Sequence, residues 1–323
     1  MRPFEYALAT SPADAVSRYQ PGTMYLGGGT NLVDLMRLGV AAPQYLVDVS
    51  RLPLDTVEPV GDRLRIGAAV RNSDLAAHPL VRARYPTLAR SVLAGASGQI
   101  RNQATVAGNL LQRTRCPYFQ DVSKACNKRE PGTGCPAIEG DHSNLAVVGY
   151  SDECVATHPS DMAVALTALD AEVHVTGPRG DRVIQLPGLY RLPGGEPQFD
   201  TVLAPGDLIT AVELPEPPPG ASAYRKVRER ASFAFALVSI AAVLDVGGDG
   251  VIRDCRMALG GLAHMPWRAE SAEEELIGAP VSDEAFARAA EAELYRARPL
   301  PRNAYKVPLA RRLIVHTLRE LAT

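Results

Sequence analysis

The segment YLGGGTNLVDL, residues Tyr25–Leu35, decides the fold because it places three consecutive glycines between two regular elements. The apolar run TMYL predicts a strand before the glycines, and TNLVDLMRLG predicts a helix after them, since its apolar residues recur at helical spacing. Glycines allow close approach of a ligand to the backbone, and the amides of such a turn form an anion site suited to phosphate. The segment alone leaves a plain strand–helix turn open as the alternative.

The glycines of this turn fit neither of the two familiar phosphate-binding patterns. No lysine follows them, which excludes a P-loop, and Leu32 stands where the third glycine of G-x-G-x-x-G belongs. Any nucleotide bound here is therefore held in another way.

The chain around this turn divides into three units by its pattern of predicted elements. Strand and helix signals alternate over residues 1–54, and residues 55–216 continue with further strands and helices. The Pro-rich segment PEPPPGAS, residues 215–222, then marks a boundary before a third unit, residues 217–323. In that unit the apolar run from Phe233 to Leu244 predicts a buried strand or core helix, and Cys255 is typical of a small buried strand residue.

Composition excludes several function classes. The 323 residues are 46% hydrophobic and 22% charged, with 34 Lys and Arg against 36 Asp and Glu and a formal net charge of −2. This balance gives no electrostatic argument for nucleic acid or an anionic membrane surface, and no apolar run reaches the length of a membrane span. The first residues lack a basic segment followed by an apolar one, so we expect no export signal and a cytoplasmic location by default.

A second turn has the same character as the glycine turn. In IRNQATVAGNLLQ, residues 100–112, Gly108 and Asn109 tolerate left-handed backbone, and Thr105 and Asn109 offer hydrogen bonds. Together with the acidic Asp161 at a predicted helix start, the two turns could grip one long ligand. Asp161 taken alone is more typical of a helix-capping residue.

Four of the five cysteines fall in one turn-rich stretch, at Cys116, Cys126, Cys135 and Cys154. Their spacing lacks the C-x₂-C pairs of zinc knuckles and ferredoxins, so it permits a four-thiolate metal site without separating zinc from iron–sulfur. Disulfides are typical of exported and usually short domains, so a disulfide framework is a weaker interpretation of these cysteines. Several cations flank the thiols and would help balance their charge, and these are Arg113, Arg115, Lys124, Lys128 and Arg129. A solvated basic loop with unrelated thiols is the rival interpretation.

Six motifs in order along the chain resemble the FAD-binding subunit of the xanthine dehydrogenase group of molybdenum hydroxylases. They are YLGGGTNLVDLM, RNQATVAGNL, PSDMAVALTALDAEV, DLITAVELP, YRKVRERASFAFALVSIAAVL and ALGGLAHMPWRAESAEEELIG. In most members the AGNL motif runs almost directly into the PSD helix, whereas here an insert at about residues 113–158 holds the clustered cysteines. That insert resembles the flavin subunit of bacterial three-subunit aldehyde oxidoreductases, in which four cysteines bind a [4Fe–4S] cluster.

The resemblance implies an α+β fold. It consists of an FAD-binding domain of the vanillyl-alcohol-oxidase-like type, made of two α/β subdomains, followed by a CO-dehydrogenase-flavoprotein-type C-terminal domain. The first subdomain would be residues 1–54, the second residues 55–216 with the insert, and the C-terminal domain residues 217–323.

The resemblance also implies which residues bind the cofactors. FAD would lie against the first turn, at Tyr25, Leu26, Gly27, Gly28, Gly29, Thr30, Asn31, Leu32 and Val33. Further FAD contacts would come from Thr105, Gly108, Asn109, Gln112, Asp161, Ile209 and Lys226, with Asp161 accepting hydrogen bonds from hydroxyls and Lys226 beside the isoalloxazine ring. Gln112 departs from the small hydroxyl residue that relatives often have, which puts its role in doubt. The four clustered cysteines would be the cluster ligands, and no residue is expected to be catalytic.

The implied assembly is a heterotrimer. A large subunit with the molybdenum cofactor would oxidise an aldehyde to a carboxylic acid, a small subunit with two [2Fe–2S] centres would relay electrons, and FAD here would pass them to an external acceptor. Another molybdenum hydroxylase, of the xanthine dehydrogenase or 4-hydroxybenzoyl-CoA reductase type, is the alternative within the family, and a zinc-stapled non-catalytic scaffold or a stand-alone NAD(P)H-dependent flavin reductase lies outside it. Export in the folded state on a partner's signal would make the protein periplasmic.

Overall fold

The computed structural model describes all residues from Met1 to Thr323. Its strands form three separate sheets of three, five and four strands, taken from successive parts of the chain. The α+β class expected from the resemblance is confirmed. None of the helices combines the length and the apolar composition that crossing a membrane requires.

The first sheet is parallel and carries the glycine turn at its edge. Its elements in chain order are β1 (Glu5–Leu8), α1 (Pro12–Ser17), β2 (Thr23–Leu26), α2 (Leu32–Arg37) and β3 (Tyr45–Asp48). The strand order is β1-β3-β2, so the turn after β2 follows an edge strand. Ser11 caps α1 as its sequence predicts, since its hydroxyl accepts a hydrogen bond from the Asp14 amide at 3.0 Å.

The second sheet is antiparallel, with the order β4-β5-β8-β6-β7. Its elements are β4 (Val57–Val60), β5 (Arg63–Gly67), α3 (Asn72–Ala77), α4 (Pro79–Arg84), α5 (Pro86–Ala94), α6 (Gly98–Arg101), α7 (Val106–Leu110), α8 (Pro117–Gln120), α9 (Asp161–Ala168), β6 (Glu172–Gly177), β7 (Gly180–Gln185), α10 (Leu186–Leu189) and β8 (Leu208–Leu214). Residues 121–160 form turns, bends and isolated bridges without a helix or extended strand. The insert is therefore an irregular excursion between α8 and α9.

The third sheet is antiparallel, with the order β12-β11-β10-β9. Its elements are β9 (Ala221–Val227), β10 (Val238–Val246), β11 (Ile252–Gly260), β12 (Trp267–Arg268), α11 (Glu270–Leu276), α12 (Asp283–Leu294) and α13 (Lys306–Leu321). The apolar run from Phe233 supplies β10, but only from Val238 onward, because residues 228–237 form a loop with Phe233 at a φ of 51°. Cys255 lies in β11 at 2% exposure, as expected of a buried strand residue.

Helix α9 joins the second and third sheets. All of its residues are buried, and it packs against α5 on one side and against β10 and β11 on another. An apolar helix covered all round is what the run MAVALTAL predicts. This packing fixes Asp161, the first residue of α9, between the two sheets. The domain boundaries at residues 54 and 217 stay a prediction. The grouping of the strands into three sheets is compatible with them.

Candidate functional site

The glycine turn after β2 lies against the backbone of the segment before α7. A Cβ on Gly28 would lie 2.0 Å from the carbonyl oxygen of Gln103, and one on Gly27 would lie 3.1 Å from Thr105 Oγ1. Gly29 adopts a φ of +75°, in the left-handed region that favours glycine. The three glycines are therefore needed for the close approach of two backbone segments and for one positive φ.

The second turn differs from its expectation. Gly108 and Asn109 lie within α7 and do not adopt the left-handed backbone that their sequence suggested. Thr105 is the N-cap of this helix, and its hydroxyl accepts a hydrogen bond from the Gly108 amide at 3.3 Å. Gly108 has a packing role instead, because a Cβ there would lie 3.0 Å from Thr105 Oγ1.

Two cavities meet at these turns. One has a volume of about 870 Å³ and extends toward Asp161, and the other has about 540 Å³ and extends toward Tyr25 and Ile209. Six residues line both cavities, namely Gly29, Thr30, Asn31, Gly108, Gln112 and His158. The two cavities thus form one elongated cleft, the flavin cleft, with the glycine turn near its middle.

Most residues expected to bind FAD line this cleft. Tyr25, Gly27, Gly28, Gly29, Thr30, Asn31, Leu32, Val33, Thr105, Gly108, Asn109, Gln112, Asp161 and Ile209 all do so. Leu26 and Lys226 do not line either cavity. Gln112 bonds to its neighbour, since its Nε2 donates to the carbonyl and to Oδ1 of Asn109 at 3.0 and 3.1 Å. Its side chain therefore supports Asn109.

Among the residues of the cleft, Asn31 and Asn72 each carry a buried polar side-chain atom without a hydrogen-bond partner within the protein. Asn31 accepts a hydrogen bond on Oδ1 from the Arg113 amide at 2.9 Å, yet its buried Nδ2 donates to nothing. Asn72 Oδ1, at the start of α3, is likewise buried and unpaired. Buried polar groups are normally satisfied, so both atoms point to a polar ligand in the cleft. A long amide-lined cleft with a free donor at the glycine turn fits the diphosphate of FAD.

Asp161 is tied to β9 and is not the cap of its helix. Ser160 caps α9, because its hydroxyl accepts from the Ala163 amide at 2.9 Å. Asp161 Oδ2 accepts from Lys226 Nζ at 2.8 Å, and Oδ1 accepts from the Tyr224 hydroxyl. Burial, reinforced by the charge of Asp161, raises the pKa of Tyr224 and keeps that hydroxyl a donor. The capping interpretation is wrong, and Lys226 reaches the cleft through Asp161.

The four clustered cysteines converge on one small cavity. Cys116, Cys126 and Cys154 are buried and Cys135 is partly buried, and all four line the same hollow within one hydrophobic cluster. None of them forms a disulfide. Unrelated thiols on a solvated loop are expected to point apart, so this arrangement contradicts that rival interpretation. Four convergent thiols are the ligand set of tetrahedral zinc or of a cubane iron–sulfur cluster.

Backbone amides turn toward these sulfurs. Burial raises the pKa of Cys116 to about 11, while hydrogen bonding from the Phe119 and Tyr118 amides acts in the opposite direction. Burial likewise raises the pKa of Cys154 to about 12, against the lowering effects of Lys128 and the Ala156 amide. Thiols in such a place remain protonated on their own, whereas amides and a cation favour thiolates bound to a metal. The residues present fit a cluster or a zinc ion.

The basic residues of the insert do not surround the thiols as a group. Arg115 pairs with Asp34 at 3.3 Å, Lys124 is exposed, and Arg129 donates to the carbonyls of Tyr118 and Phe119 at 2.9 and 2.8 Å. Of the five cations, Lys128 alone lines the cysteine cavity. The positive charge expected around the thiols is therefore provided at the cavity by Lys128 and not by all five cations.

Several cleft residues were absent from the sequence-based set. His158 lines both cavities and its ring lies 4.6 Å from that of Tyr190, and Asp200 lines the cleft beside Arg113. His158 immediately precedes the PSD motif, which was the available signal, whereas nothing in the local pattern around Tyr190 or Asp200 indicates a site. Tyr224 opens the YRKV motif, and its alternation with Lys226 on one face of a strand could have indicated their shared partner.

Comparisons with known proteins agree with this geometry. Residues 2–217 match the family described as the FAD binding domain in molybdopterin dehydrogenase, and residues 222–321 match the CO dehydrogenase flavoprotein C-terminal domain. The chain is 52% identical to the aldehyde oxidoreductase FAD-binding subunit PaoB of Escherichia coli, covering 99% of this chain and 98% of that protein. It is 26% identical to the glyceraldehyde dehydrogenase medium chain of Sulfolobus acidocaldarius, covering 87% and 83%.

A solved structure shares the whole fold. Carbon monoxide dehydrogenase from Hydrogenophaga pseudoflava, in a form lacking the Mo-pyranopterin moiety, matches with a TM-score of 0.78 and 25% identity, over 99% of this chain and 98% of that one. Both family matches together span nearly the full length of the chain. The chain therefore belongs to the family of FAD-binding medium subunits of molybdenum hydroxylases and is an oxidoreductase subunit.

Proposed function

We propose that this chain is the FAD- and [4Fe–4S]-binding electron-transfer subunit of a molybdenum-dependent aldehyde oxidoreductase. One observation carries the proposal: Phe119 lines both the flavin cleft and the cysteine cavity, so the two sites adjoin at this ring. The guanidinium of Arg113 stacks on that ring at 4.9 Å from its centroid. Two redox groups on either side of one aromatic ring would lie close enough to exchange electrons.

The overall reaction sets what this chain has to do. An aldehyde and water give a carboxylic acid, two protons and two electrons, and this chemistry belongs to the large subunit with the molybdenum cofactor. A small subunit with two [2Fe–2S] centres delivers the electrons one at a time. FAD, when bound, can take up single electrons and release a pair, which matches that supply to an external acceptor.

The residues of this chain bind the cofactors and tune their reduction potentials, and they do not react with the aldehyde. The glycine turn and Asn31 would bind the diphosphate, and Asp161 would keep Lys226 fixed beside the cleft. A cation near the isoalloxazine stabilises reduced anionic flavin. Cys116, Cys126, Cys135 and Cys154 would hold the cluster. No side chain has to act as an acid or base on the aldehyde.

The proposal that the substrate is an aldehyde rests on the relatives. The protein with 52% identity is an aldehyde oxidoreductase subunit, and the Sulfolobus relative belongs to a glyceraldehyde dehydrogenase. The convergent thiols and the amides facing them support the cluster. The complex would be cytoplasmic, or periplasmic if a signal on a partner subunit carries it across the membrane already folded.

The test is co-expression of this chain with a molybdenum-cofactor subunit and a [2Fe–2S] subunit from the same genome. We expect a heterotrimer that couples oxidation of an aromatic or aliphatic aldehyde to reduction of an artificial acceptor such as ferricyanide. The isolated chain should not oxidise NADH. A complex that hydroxylates xanthine or another heterocycle and leaves aldehydes untouched would contradict the substrate class, and NADH oxidation by the isolated chain would favour a stand-alone reductase.

A further inference from the structure

Lys128 is a lysine with almost no access to solvent, placed in the insert between two of the clustered cysteines. Its side chain is 1% exposed, and Nζ donates to the carbonyl oxygen of Pro197 at 2.7 Å and to Asp200 Oδ1. A buried lysine is costly unless it is paired, so its retention here points to a use for the charge. The inference drawn from it rests on the proposed [4Fe–4S] cluster.

Lys128 borders the thiols directly. It lines the cysteine cavity together with Cys116, Cys126, Cys135 and Cys154, and it is the only Lys or Arg among the residues that do so. Of the other flanking cations, Lys124 is exposed, Arg113 pairs with Asp200, Arg115 pairs with Asp34, and Arg129 donates to backbone carbonyls.

Asp200 fixes this charge from outside the insert. It lies between α10 and β8, and it pairs with Lys128 through Oδ1 and with Arg113 through Oδ2. His264 Nε2 lies 3.6 Å from the same carboxylate. Burial would raise the pKa of Asp200, but the neighbouring His264 ring and the charges of Arg113 and Lys128 hold it well below its ordinary value, so it is ionised.

We infer that Lys128 is the positioning residue that sets the reduction potential of the iron–sulfur cluster, and that Asp200 holds it in place. A [4Fe–4S] cluster with four thiolates gains one negative charge when it takes up one electron. A fixed cation beside it stabilises the reduced form in a poorly solvated site. The same carboxylate lines the flavin cleft, so the charge next to the cluster is anchored at the wall that the two sites share.

The experiment compares Lys128→Met with Lys124→Met in the full-length chain purified anaerobically without partner subunits. Methionine keeps the length of the side chain and removes the charge, and Lys124 is the exposed lysine of the same insert. Each sample is titrated with dithionite while the low-temperature signal of the reduced cluster is followed by electron paramagnetic resonance, and iron and FAD are measured in parallel. We expect Lys128→Met to retain iron but to lower the ratio of reduced to oxidised cluster at a fixed potential at least about tenfold. Lys124→Met should match the wild type.

Asp200→Asn supplies the opposite sign. Asparagine keeps an Oδ1 that can accept from Lys128 Nζ, so this variant retains the position of Lys128 and removes only its counter-charge. The cluster should then become easier to reduce, and this variant decides the matter if Lys128→Met cannot be obtained with iron. An unchanged potential in an iron-loaded variant, shifts of the same sign in both, or loss of iron from both would assign Lys128 and Asp200 a structural role and overturn the inference. A wild-type chain without iron would overturn the proposed cluster as well, whereas iron with an insensitive potential overturns the inference alone.

Discussion

The flavin cleft and the cysteine insert use the chain in opposite ways. In the cleft the main chain of the glycine turn is the proposed binding surface, and Gly28 lies so close to the carbonyl oxygen of Gln103 that no Cβ fits between them. In the insert, turns without regular structure carry four thiols into one cavity, and these side-chain atoms are the proposed ligands. We therefore expect cofactor binding in the cleft to be impaired by added side-chain atoms, and cofactor binding in the insert to be impaired by the loss of a thiol.

The sharpest way to separate the two regions is Cys126→Ser. We expect nearly complete loss of iron because a hydroxyl replaces one of four thiolate ligands, with FAD largely retained because Cys126 lies outside the flavin cleft. Iron and flavin are measured on the same sample. Cys255→Ser is the matched control, since Cys255 is buried in β11 within a different core and should leave iron unchanged. Unchanged iron in Cys126→Ser would remove that residue from the ligand set.

Gly28→Ala tests the opposite region. The new methyl group would lie 2.0 Å from a backbone oxygen, and overpacking of this kind costs about 1–3 kcal/mol or more. We expect FAD affinity to fall at least about tenfold while iron content stays at the wild-type level, as measured by flavin titration and metal analysis. Gly98→Ala is the control, because a Cβ there meets open space. Wild-type FAD affinity in Gly28→Ala would show that the two backbone segments are not as closely packed as described.

Asp161→Asn examines the place where the cleft depends on a side chain. The substitution leaves Lys226, whose side chain is 3% exposed, without its counter-charge, and breaking a buried pair in this way costs about 3–5 kcal/mol. Chemical denaturation should show this loss, and the additional change Lys226→Met should recover most of it. Asp14→Asn, which removes the Arg18 pair at the surface, should cost far less stability. Equal effects at the two positions would contradict the buried role of Asp161.

A fall in pH should lower the stability of the folded chain through protonation of His158. Burial lowers the pKa of this histidine to about 4, whereas in the unfolded chain it titrates near about 6.5. Between these values the unfolded state binds more protons, so stability falls as pH drops through this window, by about 2 kcal/mol between pH 6.5 and 5. Unfolding of the wild type and of His158→Gln is compared over this range, and the variant should lose that part of the pH dependence. Parallel pH profiles would exclude His158 as the source.

The smallest effect is expected from Gln112→Ser. The side-chain amide of Gln112 donates to the carbonyl and the side chain of Asn109. These bonds support the cleft wall, but they add no main-chain group to the FAD site. Loss of such bonds costs about 0.5–1.5 kcal/mol, so FAD should bind roughly two- to tenfold more weakly. A larger loss would assign Gln112 a direct contact with the cofactor.

Much of the fold was predictable because local patterns and tertiary packing agree. The helix α9 and the strand β6 follow from an apolar run with a Ser cap, and the strand containing Cys255 follows from its apolar neighbours. The run from Phe233 was harder, since its first residues form a loop despite their apolar character. Helix α7 shows a similar limit, because Gly108 is helical where its residue type suggests a turn.

The site divides in the same way. The glycine turn and the cysteines are visible in the sequence because each is contiguous or clustered along the chain. The partners of Asp161 come from β9, sixty-odd residues away, and Asp200 meets Lys128 and Arg113 across similar separations. Pairing of this kind depends on how sheets and loops pack together, and a single sequence carries no periodicity that reports it.

The most direct measurement is the amount of FAD, iron, acid-labile sulfide and zinc in one anaerobically purified sample of the full-length chain. We expect about one FAD with about four iron and four sulfide per chain, and no stoichiometric zinc. Zinc in place of iron and sulfide, or a chain without flavin, would contradict the claim that the glycine turn and the four-cysteine insert hold two redox groups on either side of Phe119.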